Sequence, residues 1–267
     1  MSTKDLGKLL EKLRKERPMV HHITNYVTVN DCANITMCIG AAPVMAHSKD
    51  EVAEMVGMAG ALVLNIGTLD ASQIDSMLIA GKRANELKIP IVLDPVGAGA
   101  TRLRTESAQR LIHELRIAVL KGNAGEVATL AGEKAKVRGV DSIGVERDPV
   151  HIAPDLAVAL GTTVAITGAT DVVSDGKHTV LVKNGHQLMG SFSGSGCMAA
   201  SICGAFAAVS SDRLRGSVAA LVAFGIAGEN AARKSKAPYS FKAALFDAVS
   251  SLTPAEVAKK ARVQEVE

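Results

Sequence analysis

Ile89-Pro90-Ile91-Val92-Leu93-Asp94 is a short run, apolar without alternation, that ends on an acid. A strand with one face in water alternates, so unbroken apolarity over five or six residues predicts a strand covered on both faces. Three further runs have the same character: Ala61-Leu62-Val63-Leu64-Asn65 before it, Ile117-Ala118-Val119-Leu120-Lys121 and Thr163-Val164-Ala165-Ile166-Thr167 after it. Between the runs, Ser72 to Leu87, Thr105 to Leu115 and Pro154 to Leu160 read as helices. Strand and helix in repeated alternation give an α/β fold with a mostly parallel central sheet flanked by helices. Val172 to Ser174 and Thr179 to Val182, split by Asp175-Gly176-Lys177, read instead as a β-hairpin. From Gly196 to Pro254 the chain is largely helical and rich in alanine. Lys4 to Glu16 carries Leu6, Leu9, Leu10 and Leu13 at helical spacing, an amphipathic outer helix that Pro18 ends.

The 267 residues are 48% hydrophobic, enough for one substantial core. No linker or repeat marks a boundary, so residues 1–267 read as a single domain. No apolar run approaches the roughly 20 residues that span a bilayer, and the polar start Met1-Ser2-Thr3-Lys4-Asp5-Leu6 has no signal-peptide core. A cytoplasmic protein without membrane partners is expected. Thirty basic and 27 acidic residues are spread along the chain for a net charge of +3. With few aromatics and no basic stripe, nucleic acid is not an expected partner. Cys32, Cys38, Cys197 and Cys203 have no C-x-x-C spacing, which argues against a metal staple or a disulfide framework.

Ligands of an open parallel sheet bind beyond the carboxyl ends of its strands. The four runs end in Asn65-Ile66-Gly67-Thr68, Asp94-Pro95-Val96-Gly97-Ala98-Gly99, Lys121-Gly122-Asn123-Ala124-Gly125-Glu126 and Thr167-Gly168. Each pairs a polar side chain with a glycine that lets backbone approach a ligand. Each also has a plain structural explanation. Asp94 before Pro95 fits a strand-ending turn, and Asn123 with Glu126 fits a capping box for a helix through Leu130. Thr167 fits a cap, and Lys121 fits a strand-end charge in solvent. Taken together, two acids and one base at strand ends suit a Mg²⁺–nucleotide site, because phosphoryl transfer needs charge neutralisation and alignment.

Gly194-Ser195-Gly196-Cys197 places two glycines and a thiol where a helix begins. Free N–H groups and the positive end of the helix dipole make such a start an anion hole, and the same field is expected to enrich the Cys197 thiolate. A glycine turn with a packed cysteine is the bland alternative. The dinucleotide pattern G-x-G-x-x-A formed with Ala199 is disfavoured, because the nearest strand-like run, His178 to Lys183, does not lead directly into it. His21-His22 would point to opposite faces of an extended segment and so suit a turn or strand edge better than joint metal ligation. Met45 taken alone is core filler, and the charged tail from Glu256 to Glu267 reads as a solvated, frayed helix.

In order and spacing, six motifs resemble the hydroxyethylthiazole kinase family. They are Thr24-Asn25-Tyr26-Val27-Thr28, Pro43-Val44-Met45, Leu93-Asp94-Pro95-Val96-Gly97-Ala98, Lys121-Gly122-Asn123-Ala124-Gly125-Glu126, Ile166-Thr167-Gly168 and Gly194-Ser195-Gly196-Cys197. The resemblance implies a ribokinase-like three-layer α/β fold. It also implies phosphorylation of the alcohol of 4-methyl-5-(2-hydroxyethyl)thiazole by ATP with Mg²⁺ in thiamine salvage, and a homotrimer with active sites between neighbouring subunits. Carried over by position, it sets Asn25, Met45 and Gly194 against the thiazole, and Lys121, Asn123, Thr167 and Gly196 around ATP. Asp94 and Glu126 would orient Mg²⁺ and its waters. Cys197 would be the catalytic base, where most of the wider ribokinase-like group has aspartate. The chain departs from the family's usual pattern at Lys121, where arginine is common, and at Phe192-Ser193 and Ser195 in the glycine loop.

Overall fold

The computed structural model describes residues 1–133, 135–138, 141–145 and 147–266. The first half runs α1 (Thr3–Glu16), β1 (Met19–Ile23), α2 (Val29–Ile39), β2 (Ala42–Val44), α3 (Val52–Gly57), β3 (Ala61–Asn65), α4 (Ala71–Glu86) and β4 (Ile91–Asp94). It continues through α5 (Arg102–Glu114), β5 (Val119–Asn123), α6 (Ala124–Leu130), β6 (Ala135–Arg138), β7 (Asp141–Val145), α7 (Pro149–Leu160) and β8 (Thr163–Thr167). After the hairpin of β9 (Asp171–Ser174) and β10 (Thr179–Val182) come a 3-10 turn (Gln187–Gly190), α8 (Ser195–Val209), α9 (Arg213–Lys234), α10 (Pro238–Ser251), α11 (Pro254–Lys260) and β11 (Val263–Val266).

Among the described residues nine strands form one sheet in the order β11-β10-β9-β8-β5-β4-β3-β1-β2. The pairs from β2 across to β8 are parallel, and β9, β10 and β11 add antiparallel strands at one side. The period of two along each strand divides its side chains between two cores. Leu62, Leu64, Leu93, Leu120, Val164 and Ile166 join the core under α3 to α7. Val63, Val92, Val119 and Ala165 join the one under α1, α2 and α8 to α11. These are the three layers that the apolar runs predict.

Small residues bring α8 close to the sheet. A Cβ on Gly204 would lie 2.4 Å from Val63 Cγ2, so a larger residue there would push the helix off β3. Since α8 carries Cys197 near its first turn, this contact also sets the depth of the thiol. Among the described residues no helix is long and apolar enough to cross a membrane.

Several expectations need correction. β1 and β2 lack the unbroken apolar signal, and His21-His22 lie within β1, an interior strand between β3 and β2, with both rings fully buried. They do point to opposite faces. His21 Nε2 bonds Ala46 O at 2.9 Å and His22 Nε2 bonds Thr36 Oγ1 at 3.3 Å. The tail is helical only to Lys260, and Val263–Val266 then pair antiparallel with β10. Arg262 anchors that turn by donating to Lys183 O at 2.6 Å and Glu229 Oε1 at 2.7 Å. Charge suits an edge strand, which must resist pairing with other chains. α7 begins at Pro149 rather than Pro154, because Asp148 caps it and Pro149 occupies a first-turn position where no amide is needed.

Candidate active site

Parallel pairing carries β3, β4, β5 and β8 to a common edge, where they end on Asn65, Asp94, Asn123 and Thr167. Asn65 stands opposite Asp94, and Asn123 opposite Thr167. On β5 the Lys121 ammonium lies 3.4 Å from Asp94 Oδ1, and both side chains are buried. Lys121 is therefore not the solvated strand-end charge of its plain reading. The capping box at α6 is present: Asn123 Oδ1 accepts from Glu126 N at 2.9 Å, and Glu126 Oε2 accepts from Asn123 N at 2.8 Å. Glu126 Oε1 accepts a further bond from Gly97 N at 2.8 Å, tying the loop after β4 to the start of α6.

Above these strand ends stands the N-terminus of α8. Gly194 precedes it with φ +100°, and a Cβ there would lie 2.6 Å from Thr28 Cγ2, so the position requires glycine twice over. The next amides belong to the first turn, whose N–H groups have no intrahelical acceptor. Lys121 Nζ lies directly beneath, 3.1 Å from where a Cβ of Gly196 would stand. A cluster of donors and one buried cation thus faces one point.

A cavity of about 340 Å³ opens here. Asn25, Asp94, Lys121, Asn123, Glu126, Thr167, Gly194, Gly196 and Cys197 all line it, with Val27, Val96, Met189 and Phe192 supplying apolar wall. A second cavity, of about 530 Å³, adjoins it and has Leu221, Phe224, Ala199 and Met189 with Asp171, Asn184 and His186 in its wall. Thr167, Met189, Gly190, Ser195 and Gly196 line both. The glycine loop is the threshold between two pockets. Met45 is the exception: half-buried, just past the edge strand β2, it lines neither of these two cavities.

Charge is concentrated and strained in this place. Burial and then the neighbouring Asp94 carboxylate push Glu126 up to about 7. Burial also raises Asp94, against the pull of Lys121. Burial acts to lower Lys121, but Asp94 and Glu126 outweigh it and hold the ammonium protonated. Among the described residues each oxygen of the two carboxylates takes a single donor. Two hard oxygen donors with excess negative charge suit Mg²⁺, which keeps several waters and takes its other ligands from phosphates. Among the described residues no group of three His, Cys, Asp or Glu is disposed to hold a metal unaided.

Cys197 Sγ receives N–H bonds from Asn25 Nδ2 and Asn65 Nδ2, both at 3.3 Å. The expectation of an enriched thiolate is corrected: burial first, then Asp94, raise the thiol above its ordinary value despite Lys121. A helix terminus acts through partial charges, whereas desolvation and a full negative charge act on the same sulfur more strongly.

Thr28 also lines the smaller cavity, and Asn65 and Arg104 support its walls from behind. Arg104 donates to Ile66 O, Val96 O and Gly67 O at 3.2, 2.8 and 2.8 Å, stapling the loops after β3 and β4. Asn65 was visible as a strand-end polar residue, but nothing in the sequence around Arg104 marks it, since it sits on a helix among other charges.

A mostly parallel sheet between helix layers, with a glycine-led helix start between two pockets at its strand ends, places the chain in the ribokinase-like fold class, as solved structures agree. The fold agrees with a ribokinase-like superfamily protein of Enterococcus faecalis, at TM-score 0.66 and 15% identity over 94% of this chain and 95% of that one. Residues 10–255 match the Hydroxyethylthiazole kinase family, and the chain belongs to that family. It is 63% identical to the hydroxyethylthiazole kinase of Methanocella arvoryzae over 99% of both chains. To that of Methanosphaerula palustris it is 59% identical, over 98% of this chain and 99% of the relative. The solved hydroxyethylthiazole kinase of Pyrococcus horikoshii superposes at TM-score 0.92 with 44% identity, covering 99% of this chain and all of that one.

Proposed function

We propose that this chain is one catalytic domain that transfers the γ-phosphoryl group of ATP to the hydroxyl of 4-methyl-5-(2-hydroxyethyl)thiazole, with Mg²⁺, as a step of thiamine salvage. The observation that carries the reading is the glycine loop shared by the two cavities, with Lys121 beneath it. An alcohol in the smaller pocket and a nucleotide in the larger meet there. Family membership supplies the identity of the alcohol.

In the reaction the alcohol oxygen forms a bond to the γ-phosphorus, the bond to the β–γ bridging oxygen breaks, and ADP leaves. The hydroxyl proton passes to the Cys197 thiolate, the minor form of this buried thiol near neutral pH. Phosphoryl transfer has a loose transition state, so the chain's main contribution is alignment and charge. First-turn amides of α8 and the Lys121 ammonium bind the oxygens of the transferring group. Thr167, which lines both cavities and donates to Gly122 O at 3.3 Å, holds the nucleotide side of the threshold, and Asn123 meets the phosphates from the smaller cavity. Asn25 and Gly194 bound the acceptor side. When bound, Mg²⁺ neutralises phosphate charge, and Asp94 and Glu126 are the residues that would hold it through its waters.

Met45 enters through assembly. We place it against the thiazole of a neighbouring subunit in a homotrimer, a reading supported by its position outside its own chain's cavity and by exposed Tyr26 and Val27 at the cavity mouth.

A coupled assay of ADP release over thiazole, pyrimidine and sugar alcohols tests the function, with turnover expected on the thiazole alcohol. ADP release only with a pyrimidine or sugar alcohol would move the chain to another acceptor, and ATP binding without ADP release would make it a regulator. Asp94→Ala or Glu126→Ala should lower turnover at least about tenfold, roughly 1.4 kcal/mol of barrier, in folded protein. Unchanged kinetics at saturating Mg²⁺ would remove both from the site.

A further inference from the structure

Asn65 makes four hydrogen bonds from a buried side chain. Its Oδ1 accepts from Asn25 Nδ2 and from Gly67 N, each at 2.9 Å. Its Nδ2 donates to Asp94 Oδ2 at 2.9 Å and to Cys197 Sγ at 3.3 Å. A primary amide has two donors and two acceptor lone pairs, so its capacity is filled. Turned by 180°, it would set N–H against the N–H groups of Gly67 and Asn25, and oxygen against the Asp94 carboxylate. One orientation is therefore enforced.

Asn25 is locked in the same manner. Its Oδ1 accepts from Thr28 N and Thr28 Oγ1, each at 3.0 Å, while its Nδ2 is divided between Asn65 and Cys197 Sγ. The two amides thus interlock, and both aim an N–H at one sulfur. We infer that Asn65 is a positioning residue for the reaction: with Asn25 it fixes Cys197 Sγ at the wall of the smaller cavity and links it to Asp94, so that the sulfur meets the acceptor hydroxyl in one place. A strand-end asparagine that only closes its own turn needs its oxygen on Gly67 N, but it has no need of a donor on the thiol. The converging donors are what the plain structural role leaves unexplained.

This inference rests on Cys197 as the proton acceptor, and a double-mutant cycle separates the two ideas. Asn65→Ala should lower kcat about tenfold or more while KM for the thiazole alcohol and for ATP changes less than about threefold. In a Cys197→Ala background the same change should cost less than about threefold further, because the sulfur it positions is gone. Asn65→Ser, which keeps a small donor, should restore part of the loss in the wild-type background, and it serves for the cycle if the alanine variant fails to fold. Losses that multiply in full across the two backgrounds would overturn the inference and leave the Cys197 reading intact. Full activity of Cys197→Ala would overturn that reading and this inference with it.

Discussion

At Cys197 two opposing effects can be ranked. The start of α8 favours a thiolate, but burial and Asp94 raise the thiol, so at neutral pH the sulfur is mainly protonated at rest. Turnover therefore runs through the thiolate fraction, the form that can accept the hydroxyl proton, while the loose transition state leaves most of the rate to alignment and charge. Cys197→Ala should therefore be slow but active, down about 10² to 10⁴ in rate. Cys197→Asp should keep activity, because a carboxylate accepts the same proton from nearly the same position. The sign of the pH effect follows from the raised thiol. Wild-type turnover should still climb above about pH 8.5, the ordinary thiol value, as the thiolate fraction grows. The aspartate variant should lack that limb, and steady-state rates across the range check both points. An inactive but folded aspartate variant with a substrate adduct trapped on the wild-type thiol would replace the kinase base with a covalent nucleophile. The residue types at strand ends were legible because each follows an apolar run. What they touch was not: the bonds of Asn65 join β3 to β4, β1's trailing loop and α8, and such convergence belongs to tertiary structure.

Elements fix which of these groups can act together. The turn from β8 to β9 is closed by Asp171, whose Oδ1 accepts from Gly168 N at 3.0 Å, and it lines the larger cavity beside Thr167. Burial pushes Asp171 up to about 7, with Gly168 N–H and Lys121 pulling the other way. Below about pH 4 the group is protonated in both folded and unfolded chains. As pH rises toward 7 the unfolded chain sheds its proton while the folded one retains it, so stability falls through that window. Asp171→Asn keeps the oxygen for Gly168 and removes the titration. Its melting temperature relative to wild type should rise between about pH 5 and pH 8, by roughly 2 °C or more. A constant difference across that range would mean that the folded carboxylate ionises like a free one. The four central strands could be read from unbroken apolarity, whereas β1 was hidden by two histidines and β11 by Glu265 and the charged residues on either side of the strand. Those residues look like surface until His21 meets Ala46, His22 meets Thr36, and Val263 meets Val182.

Across the whole molecule, the smaller cavity opens beside exposed apolar side chains. Val27 lines it while remaining 67% exposed, and adjacent Tyr26 is 64% exposed. Met45 sits elsewhere, past β2 at the sheet's edge. If neighbouring subunits complete each other's sites in a closed ring, each interface brings one chain's Met45 to the next chain's Cys197. A monomer with full activity in light scattering would rule this out, and subunit mixing tests it more sharply. Met45→Glu should block the thiazole pocket across the interface, and Cys197→Ala should remove the proton acceptor within it. Each variant alone should then be slow. Co-expressed in equal amounts, they should regain activity, because a site formed by Cys197 of one variant and Met45 of the other is intact, which random assembly of a cyclic trimer gives for roughly a quarter of sites. No recovery in mixed trimers, verified by mass, would confine the whole site to one chain and return Met45 to the apolar filling that its sequence alone suggests.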